Sequence, residues 1–361
     1  MAAEDNHSPL LTFAAMTEAR AFYEQTQATQ SDLANRESSR YERFTYVRLL
    51  LFFGWVAALI VAFGTDWRIG LGFFLLTLPL IVAGVRWHLR IKRIAEQARI
   101  RAELATGELR AIEYDFSHFT NGAEFLKSGH PYALDLDLFG PHSLFQFLNR
   151  TVTAPGKEQL AQSLLAPKTA GERARTQVQG KALSENPVWC LEFRTIGYEL
   201  VDKAEYFTRL QTWLARPAVV TGRWESLLLL AVPFLTLAAL AYMLFVGPWY
   251  VGALGFLPAI LLLRKYAEII PREHTYVAEM GKLLRGYADL LAHVSTRPGG
   301  EEAAAAVPAL RTLAYRVSQL DVRYNPFAII LEVGSLWSLR WLRKLDQWRT
   351  AHAENLPEWL A

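Results

Sequence analysis

Four stretches free of charged side chains, set in two tight pairs, constrain this chain more than anything else in it. They run from Leu49 to Gly64, Ile69 to Val85, Ser226 to Val246 and Trp249 to Leu263. Only Thr65-Asp66-Trp67-Arg68 separates the first two, and only Gly247-Pro248 the last two. A hydrocarbon core of about 30 Å takes about 17–25 helical residues to cross, and within it each segment must satisfy its own backbone polar groups. Each pair therefore predicts a transmembrane hairpin, with the first, second and fourth stretches at the short end. Trp55, Trp67, Trp87, Trp249 and Tyr250 are placed to extend them into the interface. The competing reading buries both hairpins inside a soluble protein, which is hard to do with four uncharged runs.

Lys and Arg near the segment ends give the orientation. Arg36, Arg40, Arg43 and Arg48 precede the first segment, and Arg86, Arg90, Lys92, Arg93, Arg99 and Arg101 follow the second. Arg216 and Arg223 precede the third; Arg264, Lys265 and Arg272 follow the fourth. The short turns hold only Arg68. The expected protein is thus integral to a bacterial inner (plasma) membrane, with both termini and its main domains in the cytoplasm. Met1 to Ser39 shows no basic region followed by an apolar one, so no cleaved secretory signal is expected. No ionisable side chain sits in the middle of any of the four stretches, which favours an anchor over a conduit.

The remaining composition closes several other doors. A net charge of +3 gives little bulk electrostatic support for nucleic-acid binding. The single cysteine, Cys190, rules out an internal disulfide framework and a cysteine-rich metal site. Beside Trp189 it reads as a small buried hydrophobe rather than a nucleophile.

The fold class expected is mainly α: four transmembrane helices in two hairpins, with a helical cytoplasmic part. The domains are an N-terminal helix (1–45), hairpin one (46–87), a stalk and first core part (88–222), hairpin two (223–265) and a C-terminal helical region (266–361). Residues 15–45 read as one helix, with Phe22, Leu33 and Tyr41 among sparse apolar positions. The second membrane helix reads as continuing outward through Ile91, Ile94, Ala98, Ile100 and Leu104. Ile112–Phe116 and Ala133–Leu138 look like short extended pieces. Ser143–Asn149 is a helix with Leu144, Phe145 and Leu148 on one face and Ser143 as its N-cap. Gly156–Leu165 is another, with Leu160, Leu164 and Leu165 inward. Further helices are expected over Ala170–Ser184, Val188–Leu214, Arg272–Val294, Ala303–Gln319 and Ile329–Asn355, with a break at Arg297-Pro298-Gly299-Gly300.

Residues 129–167 carry a longer pattern. Asp135-Leu136-Asp137-Leu138-Phe139-Gly140 leads into Ser143-Leu144. After a helix come Asn149-Arg150-Thr151-Val152-Thr153, then Gly156, Leu160, Leu164 and Pro167. In physical terms Thr151 and Thr153 suit a helix cap, Gly156 a close approach, and the leucines a core stripe. This run resembles the start of the core (lever) domain of the MutS family of ATPases, and the lead-in is similar to that of the family's membrane-bound branch. The resemblance implies a helical MutS-like core over residues 110–361, strongest over 129–167. Past Pro167 it weakens: Thr176-Gln177 stands where the family has Arg-Gln. Trp348, His352, Leu356, Trp359 and Leu360 fit the style of the family's lever end.

The family's ATPase domain would follow, but Walker A needs Gly-x-x-x-x-Gly-Lys-Ser/Thr. Gly156-Lys157-Glu158 and Gly281-Lys282-Leu283 both lack it. No catalytic, cofactor or metal residue is therefore assigned; ATP and Mg are expected only with the absent ATPase domain, and the finish at Trp359-Leu360-Ala361 reads as a truncated or split protein. Phe22-Tyr23-Glu24 matches the family's mismatch-reading Phe-x-Glu in letters only. Asp135, Asp137, His130 and His142 read as solvated residues and turn caps rather than ligands or an acid–base pair. Arg90, Lys92, Arg93, Arg99 and Arg101 are candidate contacts to lipid headgroups or DNA. Trp337, Leu342, Leu345 and Trp348 read as a packed helix face, with a docking surface for an ATPase domain as the minority reading. The function expected is a non-catalytic, membrane-anchored MutS-like lever module coupling a missing or separate MutS-type ATPase to the bilayer; the alternative is a membrane scaffold that has lost ATP and DNA functions. The expected partners are the lipid bilayer, a MutS-type ATPase domain or chain, a second copy in a homodimer, and DNA.

Overall fold

The computed structural model describes residues 9–127, 129–166, 168–200, 204–219, 222–277, 280–321 and 328–360. Pro167, part of the motif above, lies outside them. The chain is mainly helical, and no strand occurs among the described residues. It divides into two compact units, Met1–Arg150 with Ser163–Thr195, and Thr151–Gln162 with Ile196–Ala361.

The first unit is built on two very long helices, α1 (Pro9–Thr65) and α2 (Trp67–Ile112). Asp66 turns the chain between them: its extended backbone ends α1, and its carboxylate accepts the Arg68 amide at 2.7 Å as N-cap of α2. The helices then pack antiparallel from this turn out to Arg20 and Glu113. Arg20 meets Glu113 at 3.1 Å, Gln27 meets Thr106 at 3.0 Å, Thr45 meets His88 at 3.5 Å and Trp55 meets Thr77 at 2.8 Å. Each pair is equidistant in sequence from Asp66 to within one residue, so the hairpin does not slip.

Beyond the apolar stretch the seam of α2 is His88, Ile91, Ala95, Ala98, Ala102 and Ala105, all buried. Their alternating spacing of three and four is that of a coiled coil, and alanine lets the backbones approach closely. Ile94 is exposed and lies off this seam, as does Leu33 on α1. Tyr41 stacks on His88 with ring centres 4.2 Å apart, and Phe44 packs edge-on against Trp87 at 4.7 Å. Trp55, expected at the interface, instead donates to Thr77 inside the hairpin. Toward Asp66 the apolar side chains turn outward: Leu50, Leu51, Ile60, Leu76 and Leu80 are all exposed. So large an apolar surface is unlike that of a water-soluble monomer.

Helices α3 (Leu144–Leu148), α4 (Ala154–Leu165), α5 (Ala170–Ser184) and α6 (Pro187–Tyr198) follow. The two extended pieces are not found. Ile112 ends α2, and Tyr114 adopts a left-handed φ of 63° in the turn beyond it. Residues 133–137 form turns closed by Leu136 N–H to Tyr132 O, Asp137 N–H to Leu134 O and Leu138 N–H to Ala133 O. With no neighbouring strand to pair with, these backbone groups are satisfied locally. The exposed Asp135 and Asp137 therefore do not alternate along a strand.

The second unit comprises α7 (Ala204–Leu214), α8 (Arg223–Phe245), α9 (Trp249–Ala253), α10 (Leu257–Lys265), α11 (Ile269–Val277), α12 (Met280–Val294), α13 (Glu301–Leu320), α14 (Ala328–Ser335), α15 (Trp337–His352) and α16 (Leu356–Leu360). Its core joins Leu284 and Tyr287 of α12, Leu310, Leu313 and Val317 of α13, and Leu339, Leu342, Leu345 and Trp348 of α15. The turn at Arg297-Pro298-Gly299-Gly300 separates α12 from α13 as expected, with Gly299 at φ 83°.

Among the described residues three helices, not four, are long and apolar enough to cross a membrane: α1, α2 and α8. The fourth stretch is split into α9, a 3-10 turn at Leu254–Phe256, and α10. Pro258 has no N–H for the Leu254 carbonyl, and Gly252 and Gly255 lie hard against α8. A Cβ on Gly255 would fall 2.5 Å from that of Ala239. The expected helix over Ile329–Asn355 is also broken, at the fully buried Leu336 with φ 52°. The break sends apolar α14 against α8 and α10 while amphipathic α15 packs on α13. Val188–Leu214 and Arg272–Val294, each expected as one helix, are likewise divided between α6 and α7 and between α11 and α12.

Candidate functional site

The run from Asp135 to Leu164 begins as a polar clamp. Ser143 caps α3, its Oγ accepting the Gln146 amide at 3.2 Å, as the sequence predicted. The face of α3 that is buried differs from expectation. Phe145, Gln146 and Asn149 are buried, whereas Leu144 and Leu148 are exposed. The reason is the stretch 117–120, 27–29 residues back along the chain, which has no helix or strand of its own. Gln146 Nε2 donates to the carbonyls of Ser117 at 3.2 Å and Phe119 at 2.8 Å. Asn149 Nδ2 donates to the Thr120 carbonyl at 3.2 Å and hydroxyl at 2.5 Å. Gly140, at φ 106°, donates its amide to Asn121 O at 2.9 Å. Unpaired buried carbonyls are costly, and these side chains satisfy them.

Arg150 carries the clamp to the stalk. Its Nε and Nη2 donate to both carboxylate oxygens of Glu108 at 2.6 and 3.1 Å, and its guanidinium lies 3.7 Å over the Phe119 ring. Arg194 of α6 donates to the same Glu108 carboxylate. Burial alone would raise the Glu108 pKa, but the hydrogen bonds and charges of Arg150 and Arg194 outweigh it and hold the group below its ordinary value. Tyr23 of α1 is pushed up, first by burial and then by the Glu108 charge. A carboxylate kept ionised between two guanidiniums is a poor proton acceptor and a good fastener.

The sequence reading missed Glu108, Arg194 and Gln146. Glu108 had a signal: it falls three residues after Ala105 on the alanine stripe, where a charge needs a buried partner. Arg194 and Gln146 carried none, because their partners lie at 86 and up to 29 residues' separation.

In the second unit, Thr153 Oγ1 accepts the Gly156 amide at 3.2 Å at the start of α4, the capping role expected. Thr151, Leu160 and, in the first unit, Leu164 are half-buried. Asp135 and Asp137 stand exposed; His130 approaches the Leu165 carbonyl at 3.1 Å, and His142 packs edge-on to Phe116. These four are not gathered into a site, and among the described residues no group of three or more His, Cys, Asp or Glu is placed to hold a metal. Cys190 is half-buried, with Sγ 3.5 Å from Leu183 O. Arg90, Lys92, Arg93 and Arg99 are exposed on α2 and Arg101 is half-buried. On α1, Arg36, Glu37, Arg40, Arg43, Phe44 and Val47 line a shallow groove near the apolar segment. Leu342, Leu345 and Trp348 are buried in the core, so this face of α15 is packed and is not a free docking surface. Comparison with known proteins finds no family model, no curated protein and no solved structure that matches this chain.

Proposed function

We propose that this chain is a membrane-anchored lever of MutS-like type, non-catalytic in itself, which couples a MutS-type ATPase carried by another domain or chain to the bilayer. One observation carries the lever reading. The apolar half of α2 continues without a break into a water-side half that ends at the Glu108–Arg150–Arg194 fastener. From Arg86 to Ile112 a helix extends about 40 Å, and α1 braces it in fixed register. Motion of whatever holds Arg150 is thereby delivered to the membrane end rather than lost in a loop. The MutS-like part of the reading is supported by the ordered run from Asp135 to Leu164, in which Ser143, Asn149, Arg150 and Thr153 each make a specific bond.

A photo-crosslinker at the exposed Arg340, introduced in cells, tests the coupling. Recovery of a P-loop ATPase is the expected result. Recovery of no nucleotide-binding protein from an intact membrane fraction sinks it. A DNA-linked lever further predicts duplex binding that weakens steeply with salt, through Arg90, Lys92, Arg93, Arg99 and Arg101; salt-independent or absent binding removes DNA from the reading. The scaffold reading is favoured by a different observation: Leu134, Leu136, Leu144, Phe147 and Leu148 are exposed around one turn and one helix, an apolar surface suited to a protein partner.

A further inference from the structure

We propose that the second hairpin, α8 with α9 and α10, enters a single leaflet of the bilayer and turns back, taking the acyl chains of that leaflet as its partner. The proposal rests on the membrane attachment argued above and concerns the second unit alone.

Both feet of this hairpin stand in one core. Leu210 and Trp213 of α7, ahead of it, are buried in the same cluster as Ile270, Val277 and Met280 beyond it. The chain therefore returns to the side it left, and α8 is not a lone crossing. The remaining question is depth, and the core itself marks it. Along α8 the buried positions are Leu229, Val232, Thr236 and Ala239. Leu229 and Val232 belong to the core cluster. The Thr236 hydroxyl donates to the Gly334 carbonyl at 2.6 Å, two residues from the fully buried Leu336 of that cluster. The body thus reaches up α8 to Thr236. From there to Phe245 nine residues rise only about 14 Å. On the return arm Ala259 and Leu262 are already in the core, and from Trp249 to Ala259 the chain covers about 15 Å. Both free arms match half of a hydrocarbon core of about 30 Å.

A full crossing would need hydrocarbon from near Glu225 to Val246. That would immerse α14, which packs along α8, and with it Glu332, whose carboxylate accepts the Ser338 amide and hydroxyl at 3.2 and 3.0 Å; a charge at such depth is strongly disfavoured. Glu225 and Lys265 pair at 2.6 Å across the feet of the two arms, as expected of groups kept outside the bilayer. The free end is apolar and open: Leu237, Phe245, Val246, Tyr250 and Leu254 are all more than half exposed. Close contact of Gly252 and Gly255 with Ala239 holds the two arms together as a thin wedge.

The test uses the full chain with Cys190→Ser and one nitroxide label, in vesicles of phosphatidylethanolamine and phosphatidylglycerol. Labels are placed at Val246→Cys, at Phe245→Cys as a second tip variant, and at Thr65→Cys in the turn of the first hairpin. Depth is read from the accessibility of each label to oxygen and to a water-soluble nickel chelate. The expected result is a tip label near mid-bilayer, high in oxygen and at least about tenfold less open to nickel than the Thr65 label. Tip labels at headgroup depth, level with the Thr65 label, would overturn the wedge while leaving the membrane reading intact. Tip labels fully open to nickel alongside an embedded first hairpin would also overturn it. If both sites are in water and the chain does not float with vesicles, the membrane reading itself fails, and the wedge with it.

Discussion

The two apolar hairpins are alike in hydropathy and opposite in construction. In the first, both arms are unbroken helices whose apolar side chains face outward, and the arms hold each other by paired contacts in a constant register. In the second, the outgoing arm buries one stripe against its own body, and the return arm is split by a 3-10 turn. The first is fastened far from its apolar stretch, by Glu108 near the other end of α2. The second is fastened at its root. Val219 N–H donates to Asp346 at 2.8 Å, and Arg349 pairs with Asp346 at 2.6 Å and donates to Trp213 O at 3.1 Å. Equal hydropathy thus leaves open whether a segment faces lipid or protein, and only packing partners separate the two.

Five changes test that contrast. The largest effect is expected at the root of the second hairpin. Asp346→Ala would leave Arg349 buried without its carboxylate and destabilise the second unit by about 3–5 kcal/mol, read as a lowered melting midpoint in detergent. A change of under about 1 kcal/mol would mean the root is held by something else.

Next comes the stalk fastener. Glu108→Gln is expected to cost about 3 kcal/mol, with increased hydrogen exchange in residues 116–150. Because the folded-state pKa of Glu108 is lowered, its contribution is fully present above the ordinary carboxylate value of about 4.3. It is lost as pH falls through the lower folded value. The wild-type chain should therefore loosen here only below about pH 4, and Glu108→Gln should abolish that step. An unchanged acid transition in the variant would show that another carboxylate drives it.

Gly255→Val inserts a side chain where a Cβ already falls 2.5 Å from Ala239. It should open the second hairpin at a cost of about 1–3 kcal/mol. A valine in place of the equally small Gly72 of the first hairpin, which has open space around it, should be nearly silent. Equal losses at both glycines would erase the contrast. The smallest effect is expected for Trp55→Phe, which removes one hydrogen bond to Thr77 inside the first hairpin, worth about 0.5–1.5 kcal/mol. A spin-label distance across the hairpin that stays fixed would confirm that register rests on many pairs rather than this one.

Much of the chain was readable because its signals are local. The Asp66 turn, the long helices on either side, the Ser143 cap and the turn at Pro298-Gly299 follow from neighbouring residues, and each is present. The readings that failed needed information from far along the chain. Ala133–Leu138 alternates like a strand, yet among the described residues no neighbouring strand exists for it to pair with. Leu144 and Leu148 form a plausible inward face, yet the carbonyls of Ser117, Phe119 and Thr120 draw Gln146 and Asn149 inward instead.

By itself the sequence determined that this chain is helical, that two pairs of apolar segments interrupt it, and that cations collect at their ends. Those properties depend on side-chain type and on spacing of three to four residues. Tertiary structure alone decided which apolar faces are shared with protein, that Glu108 lies between Arg150 and Arg194, and how far the core climbs along α8. Each depends on groups tens to more than a hundred residues apart, and their burial is fixed only once the chain has closed on itself.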